Sequence, residues 1–139
     1  DRRVLIVMTP LRTVIIGSST REPSQLRLVY EELALAGCQI LSPRSLGFDA
    51  NSFVRLPGEE LLADFDIEMS HLSAIVQSDF IWLHIPRGYI GASGLFELGF
   101  SVAHHKPIFS YDHLQDEPVL DQCVRRASSV FAAVKSLSV

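Results

Sequence analysis

Short apolar runs rich in β-branched and aromatic residues alternate along this chain with stretches of helical periodicity. "RTVIIGSST" (12–20), "FIWLHI" (80–85) and "KPIFSY" (106–111) have the continuous apolar character of strands that a parallel sheet buries on both faces. "CQILSP" (38–43) adds a further strand. Regular alternation of strand and helix predicts a three-layer α/β fold with a mainly parallel sheet.

Four helices are predicted between and after these strands. The first spans 22–37, with Pro23 in its first turn and Gly37 as its stop. The second runs from about Leu61 to Gln77. Its acids Asp64, Asp66 and Glu68 are interpreted as a solvated helix start, and the residues expected to face inward are Ile67, Leu72, Ile75 and Val76. The third reaches about His104, and the last is a terminal amphipathic helix over 119–137.

With 139 residues, of which 47% are hydrophobic, the chain is expected to form one domain over 1–139. Residues 43–60 are expected to form a long irregular loop, and 1–11 either a leader or an extra edge strand. The first residue is Asp1 rather than Met, so we expect a domain cut from a longer protein.

The formal net charge of −4 argues against a nucleic acid polymer as partner, and no apolar run has the length of a membrane span. Cys38 and Cys123 are far apart, without a metal-binding spacing, and are expected to be free buried thiols. No metal or cofactor is expected, and the default location is the cytoplasm.

Two loops follow strands and are the expected floor of a binding site, since α/β folds bind ligands beyond the carboxyl ends of their strands. In "GSSTRE" (17–22), the hydroxyls of Ser18, Ser19 and Thr20 and the guanidinium of Arg21 suit a phosphate or a sugar. A polar turn with a helix cap is an equally good interpretation.

The second loop, "PRGYIGASG" (86–94), contains Gly88, Gly91 and Gly94 at every third position. This spacing differs from the G-x-G-x-x-G dinucleotide fingerprint. Backbone N–H groups near a helix N-terminus favour an anion or the close approach of a ligand. An ordinary glycine-rich loop is the alternative.

Glu97 is the acid in the apolar run that follows these glycines. With Gly94 as N-cap, Glu97 falls at the third helical position, where an acid favours the helix dipole. Alternatively, apolar neighbours desolvate the carboxylate, which then serves as a nucleophile or base. His71, on the helix before "SDFIW", is by itself more typical of a surface or hydrogen-bonded core histidine.

Taken together, "GSSTRE" and "HLSAIVQSDFIWLHIPRGYIGASGLFELGFSVAHHKPIF" resemble the nucleoside 2-deoxyribosyltransferase family and its nucleotide N-hydrolase relatives. The resemblance covers roughly Val14 to Phe109 and is most specific over Ser78 to Phe109. It implies a flavodoxin-like (Rossmann-like) fold, a homo-oligomer, and cleavage of the N-glycosidic bond of a nucleoside or nucleotide. The family's nucleophilic Glu aligns with Glu97.

The resemblance also implies where the substrate binds. Recognition of a phosphate or 5′-hydroxyl falls at Gly17 to Arg21 and around Gly91 to Gly94, a stretch that includes Ser93. Gly88 and Tyr89 belong to the same loop, and Tyr89, Phe48 and Phe53 are candidates for the aromatic residue that closes the base pocket.

Two departures from the family concern the leaving base. Many members have an Asp at the position of His71, and transferases often have an acid at the position of Gly91. His71 is a candidate general acid in place of that Asp. We therefore favour hydrolysis over base transfer. The alternatives are a non-catalytic nucleotide-binding or sensing domain, or a structural domain whose terminal helix forms an oligomer interface.

Overall fold

A computed structural model describes residues 9–18, 21–43 and 64–137 of the chain. The elements follow in the order β1 (Arg12–Gly17), α1 (Pro23–Leu35), β2 (Gln39–Ser42), α2 (Asp64–Gln77), β3 (Phe80–His84), a 3₁₀ turn (Pro86–Gly88), α3 (Ala92–Ala103), β4 (Ile108–Ser110), α4 (Pro118–Asp121), β5 (Arg125–Arg126) and α5 (Val130–Leu137). The predictions for the first residues and for 44–63 concern parts of the chain outside these ranges. The candidate residues Ser19, Thr20, Phe48 and Phe53 also lie outside them.

The strands form a parallel five-stranded sheet in the order β2-β1-β3-β4-β5. This is the flavodoxin-like order, so the predicted α/β class is confirmed. The direction of winding reverses between β1 and β3, which pair along their whole length from Thr13↔Phe80 to Gly17↔His84. The carboxyl ends of these two strands therefore open the crevice where such folds bind ligands.

Successive residues of the central strands point to opposite faces of the sheet, and each face has its own core. Ile81 and Leu83 pack with Leu72 and Leu98 in one cluster, which brings α2 and α3 to that face. Phe80 and Trp82 pack with residues of α1 and α5 in the other. All five residues of β3 are buried, as expected of a strand covered by helices on both sides.

The edge of the sheet opposite the crevice is fixed by polar contacts. Asp79 accepts a hydrogen bond of 2.7 Å from the Arg12 backbone N–H, and its own N–H donates to the Arg12 carbonyl. Lys106 Nζ donates to the carbonyls of Val76 and Ser78, both at 2.8 Å. These contacts give the side chains of Asp79 and Lys106 a structural role.

The prediction of one terminal helix over 119–137 is wrong. The chain there forms the short helix α4, then β5, and only then α5. β4 would be an open edge, and β5 covers it through the pairs Phe109↔Arg125 and Ser110↔Arg126. Arg126 also donates to Ser110 Oγ at 2.7 Å, and its guanidinium contacts Asp121. These tertiary partners outweigh the helical periodicity.

Two smaller predictions are also wrong. Val76 was predicted to face inward but is 45% exposed at the end of α2. Both cysteines are free, but Cys123 is exposed and Cys38 is only partly buried, where burial raises the pKa of its thiol. In the described ranges, no helix is long and apolar enough to cross a membrane.

Gly17→Ala is expected to lower the free energy of unfolding by about 3 kcal/mol or more. Gly17 has φ +112°, and a Cβ there would lie 2.3 Å from the His84 carbonyl oxygen. Gly37 has φ +85° but open space around it, so Gly37→Ala should cost only about 1 kcal/mol. Urea denaturation of both variants measures the difference, and equal losses would contradict the close approach of β1 to β3.

Candidate active site

The candidate site lies where β1, β3 and the start of α3 meet. Gly94, in the first turn of α3, faces the end of β1 so closely that a Cβ on it would lie 3.0 Å from Gly17 Cα. The loop after β1 and the loop after β3 are thereby in contact, as the sequence predicts for two loops at the carboxyl edge. This contact places α3 with its N-terminus at the crevice.

Ser18 and His84 fix the loop that follows β1. The Ser18 N–H donates to the His84 carbonyl and Ser18 Oγ donates to the Tyr89 carbonyl, both at 2.9 Å. His84 Nε2 lies 2.8 Å from the Arg21 carbonyl, and because that oxygen only accepts, Nε2 carries the proton. Burial lowers the pKa of His84. Ser18, a predicted ligand contact, is thus engaged within the protein.

Arg21 and Tyr89 line a cleft at the mouth of the crevice. The Arg21 guanidinium carbon lies 3.6 Å from the centre of the Tyr89 ring, a cation–π arrangement. The cleft has a volume of ≈ 190 Å³ and is also lined by Glu22, Pro86 and Arg87. Arg87 lies 3.9 Å from Glu22, with its side chain 90% exposed. Two guanidinium groups against one carboxylate favour an anionic or polar ligand.

The glycines of the second loop serve different purposes. Gly88 has φ +81°, and a Cβ there would lie 2.4 Å from the His113 carbonyl oxygen, so local packing accounts for it. Gly91 is the N-cap of α3, with no side-chain capping bond, and its carbonyl accepts from the Leu95 N–H at 2.9 Å. Ser93 is exposed in the first turn.

Glu97 lies in the second turn of α3, so the prediction that Gly94 caps the helix and Glu97 takes its third position is wrong. The capping residue is Gly91, one turn earlier, because Gly94 packs against Gly17 as part of the helix. Glu97 is 6% exposed. Its burial comes from its position opposite His71 of α2 and not from capping.

His71 faces Glu97 across the α2–α3 interface, so the structure brings these two predicted residues together. His71 Nε2 lies 3.4 Å from Glu97 Oε1, and both side chains are largely buried. On the other side of the ring, Nδ1 lies 2.5 Å from Ser42 Oγ at the end of β2. A carboxylate only accepts, so Nε2 carries a proton toward Glu97, and Nδ1 contacts the Ser42 hydroxyl, which is able to donate or to accept.

Glu68 is the residue of this cluster that sequence reasoning missed. It was predicted to be solvated with Asp64 and Asp66, which are exposed, but Glu68 is 9% exposed. Burial, the charge of Glu97 and a hydrogen bond to Glu97 raise the pKa of Glu68 to about 8. Glu68 and His71 are three residues apart, which puts both on one face of α2. This spacing is the signal in the sequence that could have identified Glu68.

The cluster thus combines two buried acids, Glu97 and Glu68, with an imidazole and a hydroxyl. Such a set supplies a nucleophile and a proton donor within contact of each other. Among residues 9–18, 21–43 and 64–137, no group of His, Cys, Asp or Glu side chains is arranged to hold a metal ion.

The sequence matches no protein-family profile and no curated protein sequence. The structure is similar to that of the CMP N-glycosidase BcmB of Clostridium botulinum, at 12% identity and a TM-score of 0.52, covering 92% of this chain and 99% of that chain. It is also similar to a conserved protein from Enterococcus faecalis V583, at 11% identity and a TM-score of 0.54, covering 78% of this chain and 66% of that chain. The chain therefore shares the overall α/β fold of these two proteins.

Ser42→Ala is expected to lower the free energy of unfolding by about 1 kcal/mol, because His71 Nδ1 is left partly buried without a hydroxyl partner. The matched control is Ser73→Ala on the exposed side of α2, where the hydroxyl accepts only a 3.3 Å bond from Gln77. Urea denaturation should show no loss for the control. An equal result for both variants would contradict the Ser42–His71 hydrogen bond.

Proposed function

We propose that this chain cleaves the N-glycosidic bond of a nucleoside, nucleotide or related ribosyl compound, with Glu97 as the nucleophile. The contact between the Glu97 carboxylate and His71 at the carboxyl edge of the sheet carries this proposal. The fold shared with the CMP N-glycosidase and the resemblance of "FELG" to the nucleophile motif of deoxyribosyltransferases support it.

The charge arrangement suits the reaction. Cleavage of an N-glycosidic bond builds positive charge on C1′ in a transition state resembling an oxocarbenium ion. Glu97, whose side chain is only 8% exposed, presents its negative charge where little water screens it. The carboxylate then bonds to C1′ as the bond to the base breaks, and water releases the sugar in a second step.

His71 is the proposed general acid for the leaving base. Its protonated ring donates through Nδ1 to Ser42 Oγ and directs the Nε2 proton into the space beside Glu97. After transfer of that proton, the neutral ring keeps its Nδ1 proton and still donates to the same hydroxyl. Ser42 therefore fits both states of the ring.

Because Gly91 replaces the acid that transferases often carry, hydrolysis is favoured over transfer to a second base.

The cleft at Arg21 and Tyr89 is the proposed site for the polar end of the substrate. The exposed guanidinium of Arg87 and the stacked guanidinium of Arg21 suit a 5′-phosphate. Gly91 to Gly94, with the N–H groups of the first turn of α3, lie on the same edge and add donors for an anion.

Glu97→Gln is expected to lower the rate of base release at least about a thousandfold, since an amide is not a nucleophile and carries no charge for the transition state. Chromatography of free base from a mixed nucleoside and nucleotide panel measures the rate. A second base in the mixture separates transfer from hydrolysis.

The matched control is Glu31→Gln, the same chemical change on the exposed side of α1. It should leave base release unchanged, and thermal unfolding should show all variants folded. Equal turnover in wild type and Glu97→Gln would reject Glu97 as the nucleophile. Ligand-dependent thermal stabilisation without base release by the wild type would favour a nucleotide-binding domain.

Arg21→Gln is expected to raise the KM for a 5′-phosphorylated substrate about 10–100-fold and to change the KM for the matching nucleoside little, because it removes one charge from the cleft. Initial rates on a nucleoside and its monophosphate give the comparison. Arg27→Gln, an exposed change on α1, is the control. Equal effects on both substrates would argue against phosphate recognition by Arg21.

A further inference from the structure

Glu68 is a buried acid to which the proposed reaction assigns no task. It lies on α2, three residues before His71, and is 9% exposed. Its oxygen Oε1 is buried and has no N–H or O–H donor within the part of the chain that the structure describes. A buried carboxylate without donors is strongly disfavoured, which points to a carboxyl group that carries its own proton.

The charged group that faces Glu68 from α3 is Glu97, which lies close enough to raise the pKa of Glu68. His71 faces Glu97 from the same helix as Glu68. β1 and β2 contribute the apolar Val14, Ile16 and Leu41 to this layer, and the hydroxyl of Ser42. Arg12, the charged residue of β1, is paired with Asp79 at the opposite edge. Among the described residues, the environment of Glu68 therefore opposes a second negative charge.

We propose that Glu68 is a positioning residue for Glu97: its carboxyl group holds a proton and donates it in a hydrogen bond that orients the nucleophilic carboxylate. The role of Glu68 in catalysis rests on the proposed function. The proton-sharing pair is a property of the folded chain and is testable without a substrate.

The pair has a consequence for the reaction. When Glu97 bonds to C1′, its negative charge disappears, and with it much of the reason for Glu68 to keep its proton. Glu68 then becomes more acidic in the intermediate. Hydrolysis returns the charge to Glu97 and restores the hydrogen bond. Loss of the proton from Glu68 in the free enzyme places two carboxylates in contact and displaces the nucleophile.

The first experiment measures unfolding by urea between pH 5 and pH 8.5. Folded Glu68 keeps its proton up to about pH 8, whereas the unfolded side chain loses it near 4.5, so the wild type loses stability as the pH rises through this range. In Glu68→Gln this loss disappears, because the amide donates to Glu97 without a titrating proton. The unfolding equilibrium constant of the wild type should rise at least about tenfold more than that of the variant.

Glu31→Gln should follow the wild type throughout this range. Parallel curves for the wild type and Glu68→Gln would overturn the proposal, whether or not the chain releases a base. If the pair is present but the wild type releases no base, the proposed function fails and the proton-sharing pair stands.

The second experiment measures kcat against pH. The wild type should lose activity as the pH rises through about 8, and Glu68→Gln should keep its activity there at least about tenfold better. Glu68→Ala should lower kcat at every pH, with rescue by glutamine. A structural effect alone would lower the folded fraction without removing the alkaline decline, so an unchanged decline in Glu68→Gln would overturn the positioning role.

Discussion

The close approach of three backbone segments at the end of β1 is the constraint on which the rest of the site depends. Gly17 lies against the carbonyl of His84, and Gly94 lies against Gly17. A Cβ at Gly17 would clash with the His84 carbonyl, and a Cβ at Gly94 would be tight against Gly17, so the start of α3 packs directly onto the reversal point of the sheet. The second turn of α3 then carries Glu97 into the layer between α2 and α3, where His71 and Glu68 face it.

Burial at this position suits the chemistry proposed for the cluster. A carboxylate on the first turn would be solvated and stabilised by the helix dipole, whereas Glu97 is 6% exposed and its neighbours are polar groups of fixed orientation. Ser42 contacts His71, and both His71 and Glu68 face Glu97 from α2. A preorganised set of this kind stabilises developing positive charge without reorganising water.

The residues that resemble the deoxyribosyltransferase pattern divide into two groups. Ser78, Asp79 and Lys106 contact backbone groups at the edge away from the crevice, and they hold β1, α2 and β4 in register. Ser18, Arg21 and Tyr89 form one contact network at the crevice itself. The motif therefore contains residues that hold the fold as well as residues at the crevice, and variants at the first group should change stability.

The sequence by itself determined the α/β class, the parallel character of β1 and β3, the position of the two loops and the choice of Glu97 and His71 as candidates. Continuous apolar strands and the alternation of strands with helices are local patterns that can be read directly from the sequence. Tertiary structure decided the rest. β5 replaced part of a predicted helix because β4 offered an open edge, and Glu68 became a buried neighbour of Glu97 with a raised pKa because α3 packs over it. The charge state of an acid depends on what faces it across an interface, which spacing along the chain does not encode.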